Sequence, residues 1–378
     1  MSATAIIAPR ILTREGWRDD HALIVRDSMI ADIVPVGALP PGMPTDAATD
    51  GVLLPGFVDT QVNGGGGVLF NDTPTAEGIA TIAAAHRRFG TTALLPTLIS
   101  DDLPKVAAAI AAVDEAIALG VPGVVGIHIE GPFLNAGKHG IHDASKFRLL
   151  DDAAVDLLSS LRTGCTLVTL APELAPPGMI RRLVDRGVVV AAGHTLASYD
   201  DMARARDEGL TGVTHLFNAM TAMESRAPGV VGAALDGQFC SGLIVDGHHV
   251  HPAALRAAYR AKGPGELMLV TDAMSTVGTG ITEFSLGGVT IFAADGALRS
   301  RDGTLAGSTL DMAAALRGAA GMMRVDLSEA SQMASATPAA FMGLAPDRGT
   351  IAVGSRADLV LLDDALHPRR CWIGGTAA

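Results

Sequence analysis

The sequence contains few cysteines and no apolar run long enough to cross a membrane. Three cysteines, Cys165, Cys240 and Cys371, occur in 378 residues, far apart and without the spacing of a metal cluster. We therefore expect reduced thiols, as in a cytoplasmic protein. No apolar stretch approaches the ~20 residues of a membrane span, and the N-terminal sequence MSATAIIAPR lacks the features of a signal peptide. The sequence thus predicts a soluble, cytoplasmic protein without a membrane partner.

Positive charge is also scarce. The 28 lysines and arginines are outnumbered by 40 aspartates and glutamates, so the formal net charge is −12. Such an acidic chain is a poor partner for nucleic acid or for an anionic membrane surface. If the substrate is an anion, local features of the site must hold it. The chain is otherwise apolar, with 48% hydrophobic residues, which predicts a large core.

Both ends of the chain have strand-like patterns without helix-length periodicity. We predict that residues 1–52 and 349–378 fold together into one small β-sandwich domain, with a barrel domain over residues 53–348. In the last part of that barrel segment the pattern predicts a hairpin and two helices. The predicted segments are strands Thr4–Ile7, Ala22–Val25, Met29–Val34, Gly349–Leu362 and Arg370–Ile373, hairpin Phe284–Arg299, and helices Ser308–Met323 and Leu327–Met342.

Between these ends, eight apolar runs each stop at a polar or functional residue. Helix-like segments separate most of them, for example Tyr199–Glu208. This alternation predicts a (β/α)8 TIM barrel, whose functional residues lie at the C-terminal ends of the strands. The runs are Val52–Asp59, Thr92–Thr97, Val124–Glu130, Thr166–Pro172, Val188–His194, Gly212–His215, Gly242–Asp246 and Leu267–Asp272.

Three of these strand ends supply a possible metal site. Glu130, His194 and His215 form a His2Glu set, which is typical of a catalytic zinc with positions open for water and substrate. Each histidine taken alone could equally be a packing residue, whereas three candidates on one barrel rim favour a metal. Asp272 ends the eighth run, and beside a metal it could act as general base; a structural helix cap is the alternative. His128, on the strand of Glu130, is expected to support the interior rather than bind the metal.

Several motifs together resemble the N-acetylglucosamine-6-phosphate deacetylase family of the amidohydrolase superfamily. They cover nearly the whole chain, up to GTIAVGSRADLVLLD near its end. The resemblance implies a barrel with a small β-sandwich, usually a homodimer, that cleaves the acetamide of a 6-phosphorylated amino sugar. The motifs are PGFVDTQVNGGGG, HIEGPFLN, KHGIHD, AGHTLAS, THLFNAM, DGHHVHP, VTDAM and GTLAGS.

The resemblance also assigns roles to residues. It implies that Glu130, His194 and His215 bind the metal and that Asp272 is the catalytic base. It implies phosphate binding by Asn218 and Ala219, and by Arg226 from the neighbouring subunit, and it puts Leu305–Gly307 at the acetyl end. The implied substrate contacts are Ile141, His142, Asn218, Ala219, Arg226, His249, Leu305, Ala306 and Gly307.

One position departs from many amidohydrolases, which have His-x-His after the first strand as ligands of a second metal. Here Gln61 and Asn63 stand in those places. Amide side chains are poor ligands for a zinc-type ion compared with imidazole. We therefore expect one divalent ion per subunit, with zinc favoured and iron(II) as the alternative, and a supporting role for Gln61 and Asn63.

Other functions remain open at this stage. The nearest alternative is the same reaction on another sugar, such as N-acetylgalactosamine 6-phosphate. A dipeptidase or dihydroorotase type is disfavoured because it would not need the phosphate contacts at Asn218 and Arg226. A non-catalytic sugar-phosphate-binding homologue is also conceivable, but such a protein would be expected to have lost ligands or the base.

Overall fold

The computed structural model describes residues 3–345 and 347–378. The chain begins with strands that belong to a layer at the base of the molecule. These are β1 (Thr4–Thr13), β2 (Gly16–Arg26), β3 (Met29–Pro35), β4 (Thr45–Ala47) and β5 (Val52–Pro55).

The next part of the chain alternates strands and helices. Its strands are β6 (Phe57–Val62), β7 (Gly64–Gly65), β8 (Val68–Leu69), β9 (Thr91–Ile99), β10 (Gly126–Glu130), β11 (Cys165–Leu170), β12 (Val189–Ala192), β13 (Gly212–Val213), β14 (Cys240–Leu243) and β15 (Leu267–Leu269). Its helices are α1 (Ala76–Arg87), α2 (Leu103–Ala118), α3 (Asp152–Leu158), α4 (Met179–Val184), α5 (Tyr199–Asp207), α6 (Gly229–Asp236) and α7 (Pro252–Lys262).

The last part contains strands, helices and again strands. The elements are β16 (Glu283–Leu286), β17 (Val289–Ala294), β18 (Ala297–Ser300), β19 (Leu305–Ser308), α8 (Met312–Gly318), α9 (Leu327–Ala334), α10 (Ala336–Phe341), β20 (Leu359–Leu362), β21 (Pro368–Ile373) and β22 (Thr376–Ala377). Short 310 helices cover Val36–Ala38, Ala136–Lys138, Ala144–Lys146 and Pro172–Leu174, and a π-helix covers Ala319–Met323.

Eight parallel strands form the barrel in the order β6, β9, β10, β11, β12, β13, β14, β15. A parallel bridge between Val62 and Ala273, which follows β15, brings the two edges of this sheet together. Strands of this barrel are buried on both faces; all nine residues of β9, for instance, are buried. Helices cover the outside of the barrel and side chains fill its inside. The barrel strands are therefore continuous apolar runs in the sequence.

Strands from both ends of the chain form a second eight-stranded sheet, in the order β22, β21, β20, β5, β1, β2, β3, with β4 beside β1. This sheet has an apolar cluster of its own that includes Ile11, Leu23, Leu53, Leu359 and Trp372. The prediction of a (β/α)8 barrel with a small terminal β domain is therefore confirmed. The division at residues 52/53 and 348/349 stays a prediction.

Some element boundaries differ from expectation. The run Val52–Asp59 comprises two strands, because β5 pairs with β1 and β20 and only β6 enters the barrel. The hairpin Phe284–Arg299 is part of a four-stranded antiparallel sheet, β16 to β19. Within the predicted segment Gly349–Leu362, only Leu359–Leu362 is a strand.

The two predicted C-terminal helices are also shorter. Strand β19 extends to Ser308, and α8 begins only after Asp311, whose side chain accepts a hydrogen bond from the Ala314 amide at 2.8 Å. The segment Leu327–Met342 breaks at Ser335 into α9 and α10. Pro338 explains this break, because its ring clashes with the carbonyl four residues earlier and it cannot donate a helical hydrogen bond. Across the described ranges, the helices are all too short or too polar for a membrane crossing.

The buried carboxylate of Asp358 predicts a measurable contribution to stability. It pairs with Arg348 and with Arg356 (3.1 Å to Nε), and it accepts the Gly374 amide at 2.7 Å. Asp358→Ala would leave Arg348, whose side chain is only 19% exposed, without this partner. We expect the free energy of unfolding in urea to fall by about 3 kcal/mol. Glu15→Ala, which breaks an exposed pair with Arg18, should cost less than about 1 kcal/mol, and equal losses would contradict the assignment.

Candidate active site

Three side chains at the C-terminal rim of the barrel converge on one point. Glu130 is the last residue of β10, and His194 and His215 each lie two residues beyond the ends of β12 and β13. Glu130 Oε1 lies 3.0 Å from His215 Nε2 and 3.2 Å from His194 Nε2, and the two imidazole nitrogens are 3.1 Å apart. All three side chains are buried. The structure thus brings together the three predicted ligands, which come from three different strands.

The donor set of this trio fits a divalent metal. Its ligand atoms all lie within 4.8 Å of one another. The Nδ1 atom of His194 donates a hydrogen bond to the carbonyl of Lys138 at 2.8 Å, since a carbonyl can only accept. This contact leaves the Nε2 lone pair of His194 free for a cation, a common arrangement at metal-bound histidines. A carboxylate and two imidazoles suit first-row metals such as zinc and iron(II).

The backbone at the rim turns sharply where the functional side chains lie. His194, His215 and Asp272 have φ angles of 49°, 31° and 50°. This left-handed region is unfavourable for most residues with a Cβ and is tolerated best by Asn, Asp and, less often, His. The turn ends each strand and directs the side chain over the barrel mouth, which explains why these three residues come two or three residues after their strands.

Two amide side chains contact Asp272: Gln61 in β6 and Asn63 directly after this strand. Asn63 Nδ2 donates to Asp272 Oδ1 at 2.6 Å, and Gln61 Nε2 lies 3.2 Å from the same oxygen. Gln61 Nε2 also donates to Glu130 Oε2 at 3.0 Å. The structure therefore places Gln61 and Asn63 as donors to the two carboxylates.

The buried carboxyl groups of Asp272 and Glu130 differ in pKa because their neighbours differ. Removal from water, reinforced by the charge of Glu130, raises the pKa of Asp272 to about 6. Burial also acts to raise the pKa of Glu130, but hydrogen bonds from His194 and His215 outweigh it and hold that pKa well below its usual range. Burial opposes protonation of His215, yet the hydrogen bond to Glu130 raises its pKa. Glu130 is thus ionised, while Asp272 can exchange a proton near neutral pH.

His142 presents a neutral imidazole to the same space. Its Nδ1 atom lies 2.8 Å from Ser100 Oγ and accepts a long hydrogen bond of 3.4 Å from the Ser100 amide. An accepting Nδ1 places the ring proton on Nε2. Burial, together with the charge of His194, holds the pKa of His142 well below its usual range. The ring therefore offers one N–H donor, and its centroid lies 4.3 Å from that of the His194 ring, which is tilted by 53° to it.

His249 is oriented in a similar way by a carboxylate. Its Nδ1 lies 2.6 Å from Asp246 Oδ2, and the Asp246 Oδ1 atom accepts the amides of His248 at 2.8 Å and His249 at 2.9 Å. Burial acts to raise the pKa of Asp246, but the His249 contact outweighs it and lowers that pKa. The second ring nitrogen of His249 remains free, and the residue lines the cavity above the metal ligands.

The remaining predicted contacts fall into two groups. A cavity of about 430 Å3 is lined by Ile141, Asn218, Ala219, Leu305 and Gly307, together with the metal ligands, His142, His249 and Asp272. Ala306 is fully buried in the apolar cluster behind this wall. Arg226 does not reach the cavity; it is exposed and lines a separate groove with Lys138 and Tyr199.

Several supporting residues escaped the sequence analysis. Ser100 follows β9 and fixes His142, and the carbonyl of Lys138 fixes His194. These contacts join residues 42 and 56 positions apart and have no local sequence signal. Asp246 did have a signal, because it ends the seventh predicted run.

His128 lies under the site, as predicted, and does not join the metal trio. It is fully buried, and both of its ring nitrogens contact threonine hydroxyls: Nδ1 lies 3.2 Å from Thr97 and Nε2 lies 2.8 Å from Thr169. The Thr169 hydroxyl continues to Thr214 at 2.6 Å. This chain of hydrogen bonds connects β9, β10 and β11 with the residue that follows β13.

Comparison with known proteins gives consistent matches over the whole chain. The model of the amidohydrolase family matches residues 52–377. An N-acetylgalactosamine-6-phosphate deacetylase of Shewanella sp. is 44% identical over 370 residues, which cover 97% of this chain and 93% of that protein. The crystal structure of N-acetylglucosamine-6-phosphate deacetylase from Pasteurella multocida has a TM-score of 0.96 at 31% identity, covering 100% of this chain and 99% of that one.

A third match includes a bound sugar phosphate. It is a mutant of N-acetyl-D-glucosamine-6-phosphate deacetylase from Mycobacterium smegmatis in complex with N-acetyl-D-glucosamine-6-phosphate. The TM-score is 0.89 at 32% identity, and the match covers 100% of this chain and 99% of that chain.

The geometry predicts that metal retention depends on the His2Glu trio. In His215→Ala, one of three ligands is lost, and bound metal in purified protein should fall from about one ion per chain to less than 0.2. The measurement is metal content by plasma mass spectrometry after dialysis. The exposed neighbour His248 provides a matched control, and His248→Ala should keep its metal. Full metal content in His215→Ala would contradict this ligand set.

Proposed function

Because the chain belongs to the amidohydrolase family, we propose that it hydrolyses the acetamide of N-acetyl-D-glucosamine 6-phosphate to D-glucosamine 6-phosphate and acetate. The observation that carries this proposal is the convergence of Glu130, His194, His215 and Asp272 in one cavity. The likeness to the Pasteurella multocida and Mycobacterium smegmatis deacetylases supports the choice of substrate. The prediction that the chain is an amidohydrolase enzyme is confirmed by its family.

N-acetylgalactosamine 6-phosphate is the second candidate substrate. The specific observation in its favour is the 44% identity to the Shewanella deacetylase named for that sugar. The two sugars differ only in the configuration at C4. The reaction, the metal ligands and the phosphate contacts proposed here are the same for both.

The amidohydrolase family is metal-dependent, and Glu130, His194 and His215 would hold the ion. We propose zinc, with iron(II) as the alternative. When bound, such an ion polarises the amide carbonyl and lowers the pKa of a water molecule toward neutrality. Gln61 and Asn63 are occupied as donors to carboxylates, which supports one ion per subunit.

The proton transfers fall to Asp272. With a pKa near neutral, its carboxylate can take the proton of the attacking water and return it to the amine as the C–N bond breaks. The Nε2–H of His142 can donate to the carbonyl oxygen as negative charge develops there. His249, fixed by Asp246, is placed to hold the sugar ring. These roles need no movement of the rim.

The phosphate group would bind at the opposite side of the cavity, near Asn218 and Ala219. Asn218 is anchored through its side-chain amide to the carbonyl of His215 at 3.1 Å. Ala219 has a left-handed φ of 52°, and its carbonyl accepts the Thr195 amide at 3.1 Å. A phosphate held here would orient the acetamide toward the metal ligands and lower the entropic cost of reaction.

We also propose a homodimer in which Arg226 reaches the phosphate of the neighbouring subunit. Within the described ranges, Arg226 makes no ion pair, although its charge would favour one. Two large apolar side chains, Leu196 and Met223, lie near it and are 47% and 62% exposed. A partner subunit would cover these side chains. We further propose that the protein works in a reducing compartment such as the cytoplasm, because its three cysteines are free thiols.

A paired assay tests the substrate. Metal-loaded protein is expected to release acetate from N-acetylglucosamine 6-phosphate with a kcat/KM at least 100-fold higher than from unphosphorylated N-acetylglucosamine; N-acetylgalactosamine 6-phosphate is assayed beside them. Arg226→Ala should reduce the preference for phosphate, because a charge-assisted contact is lost, whereas the remote Arg18→Ala should not. Inactivity on both phosphosugars with metal bound would reject the proposal.

The role of Asp272 predicts a pH profile. Only the carboxylate can accept a proton, so kcat/KM should rise with pH and level off above the pKa of Asp272. The pKa of Asp272 is about 6 in the chain without a metal ion. A bound cation would stabilise the carboxylate and lower this pKa. The midpoint of the acid limb of the pH profile is therefore expected at or below about pH 6. Asp272→Asn should lower kcat by roughly 10²–10⁴-fold with normal metal content. A variant that keeps more than a tenth of the native kcat would exclude Asp272 as the base.

A further inference from the structure

We propose that the acyl end of the active-site cavity borders a second cavity that admits longer acyl chains. The enzyme would then hydrolyse N-propanoyl and N-butanoyl hexosamine 6-phosphates as well as the N-acetyl compound. This inference rests on the proposed function and extends its substrate class. The reaction is unchanged: the amide C–N bond breaks, the hydroxyl of water goes to the acyl carbon, and the proton goes to the amine.

The second cavity, of about 770 Å3, lies directly beside the cavity of about 430 Å3 that holds the metal ligands. Because the same residues face both spaces, one layer of side chains divides them. The residues that line both cavities are Ile99, His139, Gly140, Ile141, His142 and Thr304.

The lining of the active-site cavity includes both polar and apolar side chains, which can orient the substrate. Asn218 and Lys138 are polar and suit the phosphate. Met274 and Leu305 form an apolar side that suits the methyl group of the acetamide. The metal ligands lie in the same cavity, so an amide carbonyl placed at them directs its acyl group to the apolar side.

The second cavity adjoins this apolar side. Ile99 and Ile141 belong to the same apolar cluster as Met274 and face both spaces, together with Thr304. Ile141 and Thr304 are only half-buried, so their side chains are not packed on all sides. Ile141 lies in an irregular segment between the short helices Ala136–Lys138 and Ala144–Lys146. A rotamer change at Ile141 and Thr304 would join the two spaces.

Gly307 packs closely against the segment that carries the base. A Cβ atom on this residue would come within 2.6 Å of Met274 Cε and 2.8 Å of the Asp272 carbonyl oxygen. The residue also has a φ of 63°, which favours glycine. The glycine therefore lets this wall of the cavity approach Met274 and the backbone of Asp272.

The charges around the second cavity disfavour a negatively charged acyl group. Its lining contains four carboxylates (Asp72, Asp101, Asp143 and Asp302) and three cations (Lys105, Lys146 and Arg301). Lys105 is paired with Asp101 at 2.9 Å, and Lys146 is paired with Asp102 at 2.5 Å. No excess of positive charge is available for a second carboxylate on the acyl group, whereas the isoleucines offer contact to methylene groups.

The test is an acyl series on glucosamine 6-phosphate: acetyl, propanoyl and butanoyl. We expect kcat/KM for the butanoyl compound within about tenfold of that for acetyl. A closed acetyl pocket would instead lose roughly 10–200-fold for each added methylene. A loss of more than 100-fold at propanoyl, with normal acetyl hydrolysis, would overturn the inference and leave the proposed function intact. Failure on all three compounds would count against the function itself.

Two tryptophan variants locate the effect. Val289 lines the second cavity but not the first and is 42% exposed. Val289→Trp should lower the ratio of butanoyl to acetyl turnover at least tenfold by filling the second cavity. Val353, 62% exposed and remote from both cavities, is the matched control, and Val353→Trp should leave the ratio unchanged. An unchanged ratio in Val289→Trp would show that longer chains do not enter this cavity.

Discussion

The buried carboxylate of Glu130 is the interaction on which the active site depends. Its side chain is 2% exposed, and an ionised group so far from water is stable only with donors or cations around it. Gln61 donates to it, and His194 and His215, which would share a cation with it, contact it from other parts of the barrel. The site and the closed barrel are therefore inseparable, because these side chains meet Glu130 only when β6, β10, β12 and β13 are in register.

The uncharged amides of Gln61 and Asn63 leave the negative charges of Glu130 and Asp272 without a compensating positive charge. Each donates hydrogen bonds to carboxylates, but neither carries a charge or an imidazole lone pair. The barrel mouth therefore holds two carboxylates, Glu130 and Asp272, that differ in pKa because only Glu130 contacts two histidines. In a chain of net charge −12, this local arrangement, rather than the overall field, sets the charge inside the cavity.

The barrel and its central residues could be predicted because they have local signals. A strand buried on both faces is a continuous apolar run, and a polar residue after it marks the rim; this logic located Glu130, His194, His215 and Asp272. Contacts between distant segments have no such signal, so Ser100 and the Lys138 carbonyl were missed. The break at Ser335 was missed because the apolar pattern continues through Pro338. The run at Val52 was misjudged because the strand that pairs with its first half, β20, comes from the far end of the sequence.

The terminal sheet also has a consequence for synthesis. Arg370 and Asp46, which pair within it, are 324 residues apart. At ribosomal rates of about 5–20 residues per second, roughly 15–65 s pass between the emergence of these two segments. During that interval β5 has one edge paired with β1 and the other edge, later covered by β20, open. The nascent chain thus exposes an apolar strand edge until translation reaches β20, and this is the stage at which a chaperone would bind most effectively.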